Sequence, residues 1–176
     1  MGRPSRALSL SDWAVLGVVA EGPTHGWPVA RELSKDGALG AVWTVTRPQV
    51  YRSFGLLAEL GYVEERELTQ GSGPPRTVVR VTRSGRAALR RWLDAPVGHI
   101  RDVRTEFLLK VALLDRSGRD WHELAARQLA QLGPVFSALD EPASDRGFDA
   151  VLARWKQGQA DAVETFLQSL ARRRTR

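Results

Sequence analysis

Between Thr46 and Gly61 the chain spells out a short helix with two unlike faces. Thr46 is a good cap, and Pro48 suits a first helical turn. Val50, Phe54, Leu57 and Leu60 recur at the i, i+4, i+7, i+10 spacing that buries one stripe, and Gly61 closes the run. Directly behind it, YVEEREL (62–68) and TVVRVT (77–82) are β-rich runs flanking QGSGPPR. The glycines and prolines of that tip forbid regular structure, so the spacing predicts a β-hairpin with a loose end. Upstream, Ser11-Asp12 is the expected cap of a helix over 11–21, stopped by Gly22-Pro23. Thr24 is the expected cap of a second helix, from His25 to about Asp36, with Trp27, Ala30 and Leu33 turned inward.

Three compact helices followed by a two-stranded hairpin is the order of a winged helix-turn-helix domain, in which the third helix enters the DNA major groove. Once the apolar stripe is given to the core, Arg47, Gln49, Arg52 and Ser53 are left on the outer face of that helix, with the flank of Tyr51 beside them. Arginine and glutamine can read base edges, and tyrosine and serine hydroxyls reach phosphate. Surface helices usually mix charge signs, yet 47–58 holds no acid. Thr46 at the helix start joins this candidate set. His25 and Gly26 open the second helix, where free N–H groups can face phosphate, although a solvated His25 is the alternative. Arg76 at the wing tip and Arg80 on the second strand are candidates for phosphate or minor-groove contact, against the alternative of solvated wing arginines.

Beyond Thr82, RSGRAALRRWLD reads as a further helix ending at Ala95-Pro96, and VGHI as a linker. The second half of the chain is all helical by pattern. Phe107, Leu108, Val111 and Leu114 mark one helix. A second, with a kink expected at Pro134, carries Trp121, Leu124, Leu129, Leu132 and Phe136. The third carries Phe148, Leu152, Trp155, Val163, Phe166, Leu167 and Leu170. The expected class is therefore mainly α (α+β): a winged helix-turn-helix domain over 8–95 and a three-helix dimerisation region over 101–172. The last stripe exceeds what one helical hairpin can cover, so a partner chain is its natural lid. Six tryptophans in 176 residues is high. Trp13 and Trp27 are expected in the core, and Trp43 has no assignment. Trp92 and Trp121, with Trp155, are expected to pack at the core or interface, or else to line a cavity for a planar ligand.

Charge and composition narrow the functional classes. The balance of 26 Lys+Arg against 20 Asp+Glu gives +6, which permits nucleic acid as partner without selecting it. Placement says more: from Arg66 to Arg91 there are seven arginines and one acid, Glu67. No cysteine is present, which removes thiol catalysis and thiolate metal sites. No apolar run approaches the roughly 18 residues of a membrane span, and MGRPSRALSLSDW lacks the apolar core of a signal peptide, so a cytoplasmic, non-membrane protein is expected. Catalytic constellations are missing as well: His122-Glu123 would begin a zinc-protease HExxH, but Ala126 stands at its second histidine. Neighbouring acids such as Glu64 and Glu65 would face opposite sides of a strand. No enzyme, cofactor or metal site is expected.

VLGVVAEGPTHGWPVARELSK, VTRPQVYRSFGLLAELGYVEE and RTVVRVTRSGRAALRRWL resemble the PadR-type transcriptional regulators, over about residues 8–95. EFLLKVALLDRSG and the helices after it are similar, more weakly, to the α-helical dimerisation region of the longer subgroup of that family. The resemblance implies a homodimeric DNA-binding repressor on a palindromic operator, with a small aromatic effector as a candidate partner. Tyr51 and Arg52 match the family's recognition-helix pair, and Gly26 its helix-two glycine. Trp27, Val79 and Thr77 depart from the family's usual tyrosine, tyrosine and lysine. The competing class is a winged-helix protein-interaction module that does not read DNA sequence.

Overall fold

The computed structural model describes residues 7–68, 76–139 and 146–172, and the chain divides into two compact units, 1–93 and 94–176. The wing tip over 69–75 and most of the arginine-rich C-terminus lie outside the described residues.

The N-terminal unit is built around α1 (Leu10–Glu21), whose Ala14, Val15, Leu16, Val18 and Val19 are all buried. Its cap is Ser9 rather than the expected Ser11-Asp12 pair. The Asp12 backbone N–H donates to Ser9 Oγ at 3.3 Å, while Ser9 N–H and Oγ–H donate back to Asp12 Oδ2 at 2.9 and 2.6 Å. The Ser-x-x-Asp spacing satisfies both partners, which the expected cap two residues later could not do. Ser11 and Asp12 are instead buried.

The second helix, α2 (Gly26–Glu32), is shorter than expected and starts behind His25. Thr24 does not cap it, because its backbone is taken by the wing: Thr24 N–H donates to Val79 O at 3.1 Å and Val79 N–H to Thr24 O at 2.7 Å. The hairpin therefore gains a third, one-residue bridge. Trp27 also departs from expectation, standing 53% exposed with Arg31 over its ring at 4.9 Å.

α3 (Arg47–Glu59) buries Val50, Ser53, Phe54 and Leu57. Leu60, expected to complete the stripe, falls at the C-cap and is 37% exposed. Gly61 then turns the chain with φ of 68°, a conformation that favours glycine. β1 (Val63–Leu68) and β2 (Arg76–Val81) pair antiparallel, Val63 opposite Val81 and Glu65 opposite Val79, with Val63 and Val79 buried. α4 (Arg83–Asp94) begins where Thr82 Oγ1 accepts the Gly85 N–H at 3.1 Å, as its sequence predicts. Trp92, on α4, stacks on Trp13 of α1 with centroids 5.1 Å apart and planes 6° apart.

In the second unit α5 (Ile100–Asp102) runs through a π-helical turn at Val103–Phe107 into α6 (Leu108–Arg116). α7 (His122–Leu139) continues through Pro134, and α8 (Gly147–Ala171) packs on it. Val103, Phe107, Leu109, Leu113, Leu124, Leu132, Phe136 and Leu167 form the core. No helix among the described residues is long and apolar enough to cross a membrane.

Two polar side chains are buried in that core, each with its backbone partner. Lys110 Nζ donates to Ala95 O at 2.7 Å and pairs with Glu106 at 2.7 Å; burial lowers its pKa against the opposing pull of Glu106. Gln128 accepts from Val97 N–H at 2.7 Å and donates to Val97 O at 2.9 Å, satisfying both backbone groups of a buried residue. An apolar side chain of similar size would orphan both. Gln128→Met is accordingly expected to cost about 2–4 kcal/mol in urea unfolding, against less than about 1 kcal/mol for a surface change such as Gln131→Met.

Candidate nucleic-acid interface

The exposed side of α3 presents Arg47, Tyr51 and Arg52, with Tyr51 49% exposed. Two contacts order this face. The Arg47 guanidinium lies 5.8 Å from the Tyr51 ring centroid, and Tyr51 meets Phe54 edge-on at 6.1 Å, tying the exposed ring to the buried stripe. Gly26 on α2 supports the same ring. A Cβ at Gly26 would come within 2.5 Å of the Tyr51 ring end, so only glycine leaves Tyr51 in this place. Gly26 thus acts through its missing side chain.

Thr46 and Gln49 engage each other: Thr46 N–H and Oγ1 both donate to Gln49 Oε1, each at 2.8 Å. The carboxamide expected to read a base has its oxygen committed to the helix start, which leaves its NH2 to point elsewhere. Ser53 corrects the sequence reading outright. It is fully buried, and its Oγ donates to Asp12 Oδ1 at 2.6 Å. A serine one residue past Arg52 is rotated about 100° around the helix, enough to carry it from the outer face into the contact with α1.

Asp12, read from the sequence only as a cap, lies behind this face through its contact with Ser53. Burial opposes its ionisation, but hydrogen bonds from Ser53 and Ser9, with the charge of Arg52, more than offset that and hold its carboxyl below the ordinary value. Trp43, without assignment from sequence, donates its Nε1–H to Ser11 Oγ at 3.1 Å, adding a second polar link near the α1 start.

On the wing, Arg80 is exposed and sits opposite Glu64, which also pairs with Arg66 at 3.4 Å. Arg76 begins the described part of β2, and its side chain lies outside the described residues. Glu65 turns to the other face and lines a hollow of about 160 Å³ with Gly26, Tyr51, Phe54, Thr77 and Val79. His25 is half-buried at the α2 N-cap, with no side-chain capping bond.

The residues expected to serve dimerisation or ligand binding separate into two groups. Phe107 is fully buried and meets Phe166 edge-on at 6.5 Å, so it belongs to the C-terminal unit's own core, and Trp92 is engaged by Trp13 within the N-terminal unit. Phe107, fully buried in its own unit, has no surface left to give to a subunit interface, whereas Trp92 is half-buried. Trp121 stacks on its neighbour His122 with centroids 4.0 Å apart. By contrast Phe148, Val151 and Trp155 are 75%, 64% and 64% exposed on α8, while Leu152, Val163, Phe166 and Leu170 are exposed or half-buried along the same helix. A cleft of about 590 Å³ between α5–α6 and α8 is walled by Ile100, Val103, Leu108, Val163 and Phe166, with Arg101 and Arg104 also lining it. None of the tryptophans lines that cleft. Among the described residues no group of His, Asp and Glu could hold a metal ion.

A buried three-helix core, a hairpin wing and an exposed basic-aromatic helix face define a winged helix-turn-helix domain. Residues 15–91, in the N-terminal unit, match the transcriptional regulator PadR-like family, so this unit is similar to that family. It is 32% identical over 107 residues to a probable transcriptional regulator of Mycobacterium tuberculosis, an alignment covering 61% of this chain. It is 26% identical over 98 residues to the negative transcriptional regulator PadR of Bacillus subtilis, covering 56%. In both cases the match spans 53% of the relative's length. The crystal structure of Bacillus subtilis PadR in complex with operator DNA aligns over 96% of this chain and 100% of that one, at 22% identity and a TM-score of 0.48.

The Gly26–Tyr51 contact yields a test. Gly26→Ala is expected to cost about 1 kcal/mol or more in urea unfolding, and the cost is expected to vanish when Tyr51 is already alanine.

Proposed function

We propose that the protein is a cytoplasmic, sequence-specific DNA-binding repressor that holds a palindromic operator as a homodimer. The observation that carries the reading is the outer face of α3, where Arg47, Tyr51 and Arg52 are exposed on a helix whose opposite side is locked into the core. Arginine on such a helix reaches guanine edges or phosphate, and the wing's Arg80 adds a backbone contact. Thr46, Gln49, His25 and Arg76 remain supporting candidates around that face. The repressor role draws on the negative regulator among the relatives.

The three-helix region over 101–172 serves as the dimerisation domain in this reading. Phe148, Val151 and Trp155 recur on one side of α8 and leave an apolar patch that a second copy would cover through a two-fold axis. The cleft beside α8, apolar with Phe166 in its wall and two arginines lining it, is the place we assign to a small aromatic effector that releases the operator.

Two measurements check these assignments. Arg52→Ala is expected to weaken operator binding by about 1–3 kcal/mol with unfolding unchanged, read by fluorescence anisotropy across a salt series; unaltered affinity would remove α3 from the interface. Trp155→Glu places a charge in the apolar patch and is expected to give a folded monomer in analytical ultracentrifugation, whereas a persisting dimer would move the interface off α8.

A further inference from the structure

We propose that Asp12 is a positioning residue for DNA reading: through Ser53 it fixes the rotation of α3 about its axis. This inference rests on the reading of α3 as the helix that meets DNA.

Asp12 is not on the reading helix, yet its two carboxylate oxygens have separate tasks. Oδ2 closes the α1 cap with Ser9, and Oδ1 accepts the Ser53 hydroxyl at 2.6 Å across 41 residues of sequence. Capping alone does not call for burial, since a solvated acid at the same helical position would serve. Asp12 is nevertheless 6% exposed, and the cost of that burial is met by a partner on α3.

The Ser53 hydrogen bond supplies something the apolar stripe does not. Contacts of Val50, Phe54 and Leu57 are non-directional and tolerate a small rotation of the helix. A hydrogen bond from a fully buried hydroxyl does not, because it weakens steeply with angle. Ser53 follows Tyr51 and Arg52 directly, so anchoring its Oγ sets the direction in which those two side chains leave the helix. Non-specific binding is almost wholly charge attraction to phosphate, whereas base reading depends on direction.

Ser53→Ala removes the directional bond and keeps the Asp12 charge, whereas Ser53→Thr keeps the hydroxyl. Both are compared with the parent chain on a duplex selected from a random pool and on an unrelated duplex of equal length, with thermal melting as the control for folding. Ser53→Ala is expected to weaken binding to the selected duplex about tenfold and leave the unrelated duplex within about twofold, and Ser53→Thr, which retains the hydroxyl, to recover part of the difference. Equal weakening on both duplexes by Ser53→Ala, or no rescue by Ser53→Thr, overturns the positioning role. A parent chain that does not distinguish the two duplexes would instead remove the reading of α3 itself, and this proposal with it.

Discussion

The run from Ala14 to Val19 can leave water only if other elements surround it, and the N-terminal unit is the arrangement that does so. A helix with one apolar stripe needs one neighbour; α1, buried nearly all round, needs several, and it packs on α2, α3 and β2 together. That requirement orders the rest. α3 must give its apolar stripe to α1, which leaves its other side outward, and β2 must close over the same core, which sets the wing beside α3. The polar links at the α1 start, Asp12 to Ser53 and Ser11 to Trp43, add direction to a packing that dispersion alone would leave loose.

Much of this was legible in the sequence, because periodicity and turn chemistry are local signals. The α3 stripe as far as Leu57, the Gly61 turn, the hairpin and the Thr82 cap all stand where spacing and residue type predict them. The features that escaped depend on partners far away in the chain. Ser53 looks like one more polar residue beside Arg52 until Asp12 is brought against it, and Thr24 looks like a cap until Val79 claims its backbone. Trp27 fits an apolar helical spacing, but α2 is only seven residues long and its exposed side holds the indole under Arg31. Gly26 stands out in the sequence as a helix-two glycine, but the room it leaves for Tyr51 shows only in the fold.

The C-terminal unit shows the same division. Its three helical stretches follow from period alone, yet the separation of the apolar residues into those that fill the core, such as Phe107 and Leu167, and those that stand exposed, such as Phe148 and Trp155, is a property of helix packing. Lys110 and Gln128 are polar residues that hydropathy would place at the surface. Gln128 satisfies the buried backbone of Val97, and Lys110 finds the Ala95 carbonyl and Glu106, partnerships invisible until the chain is folded.

The central claim is that two α3 faces read one duplex in opposite senses. Selection of binding sites from a random duplex pool with the full chain, followed by hydroxyl-radical footprinting of the winning site, measures this directly. A two-fold dimer with α3 in the major groove predicts an inverted repeat whose half-sites lie about 10–10.5 bp apart, or a multiple of it, with protection on one side of the DNA. No enrichment, a single asymmetric half-site, or half-sites on opposite sides of the duplex would contradict it.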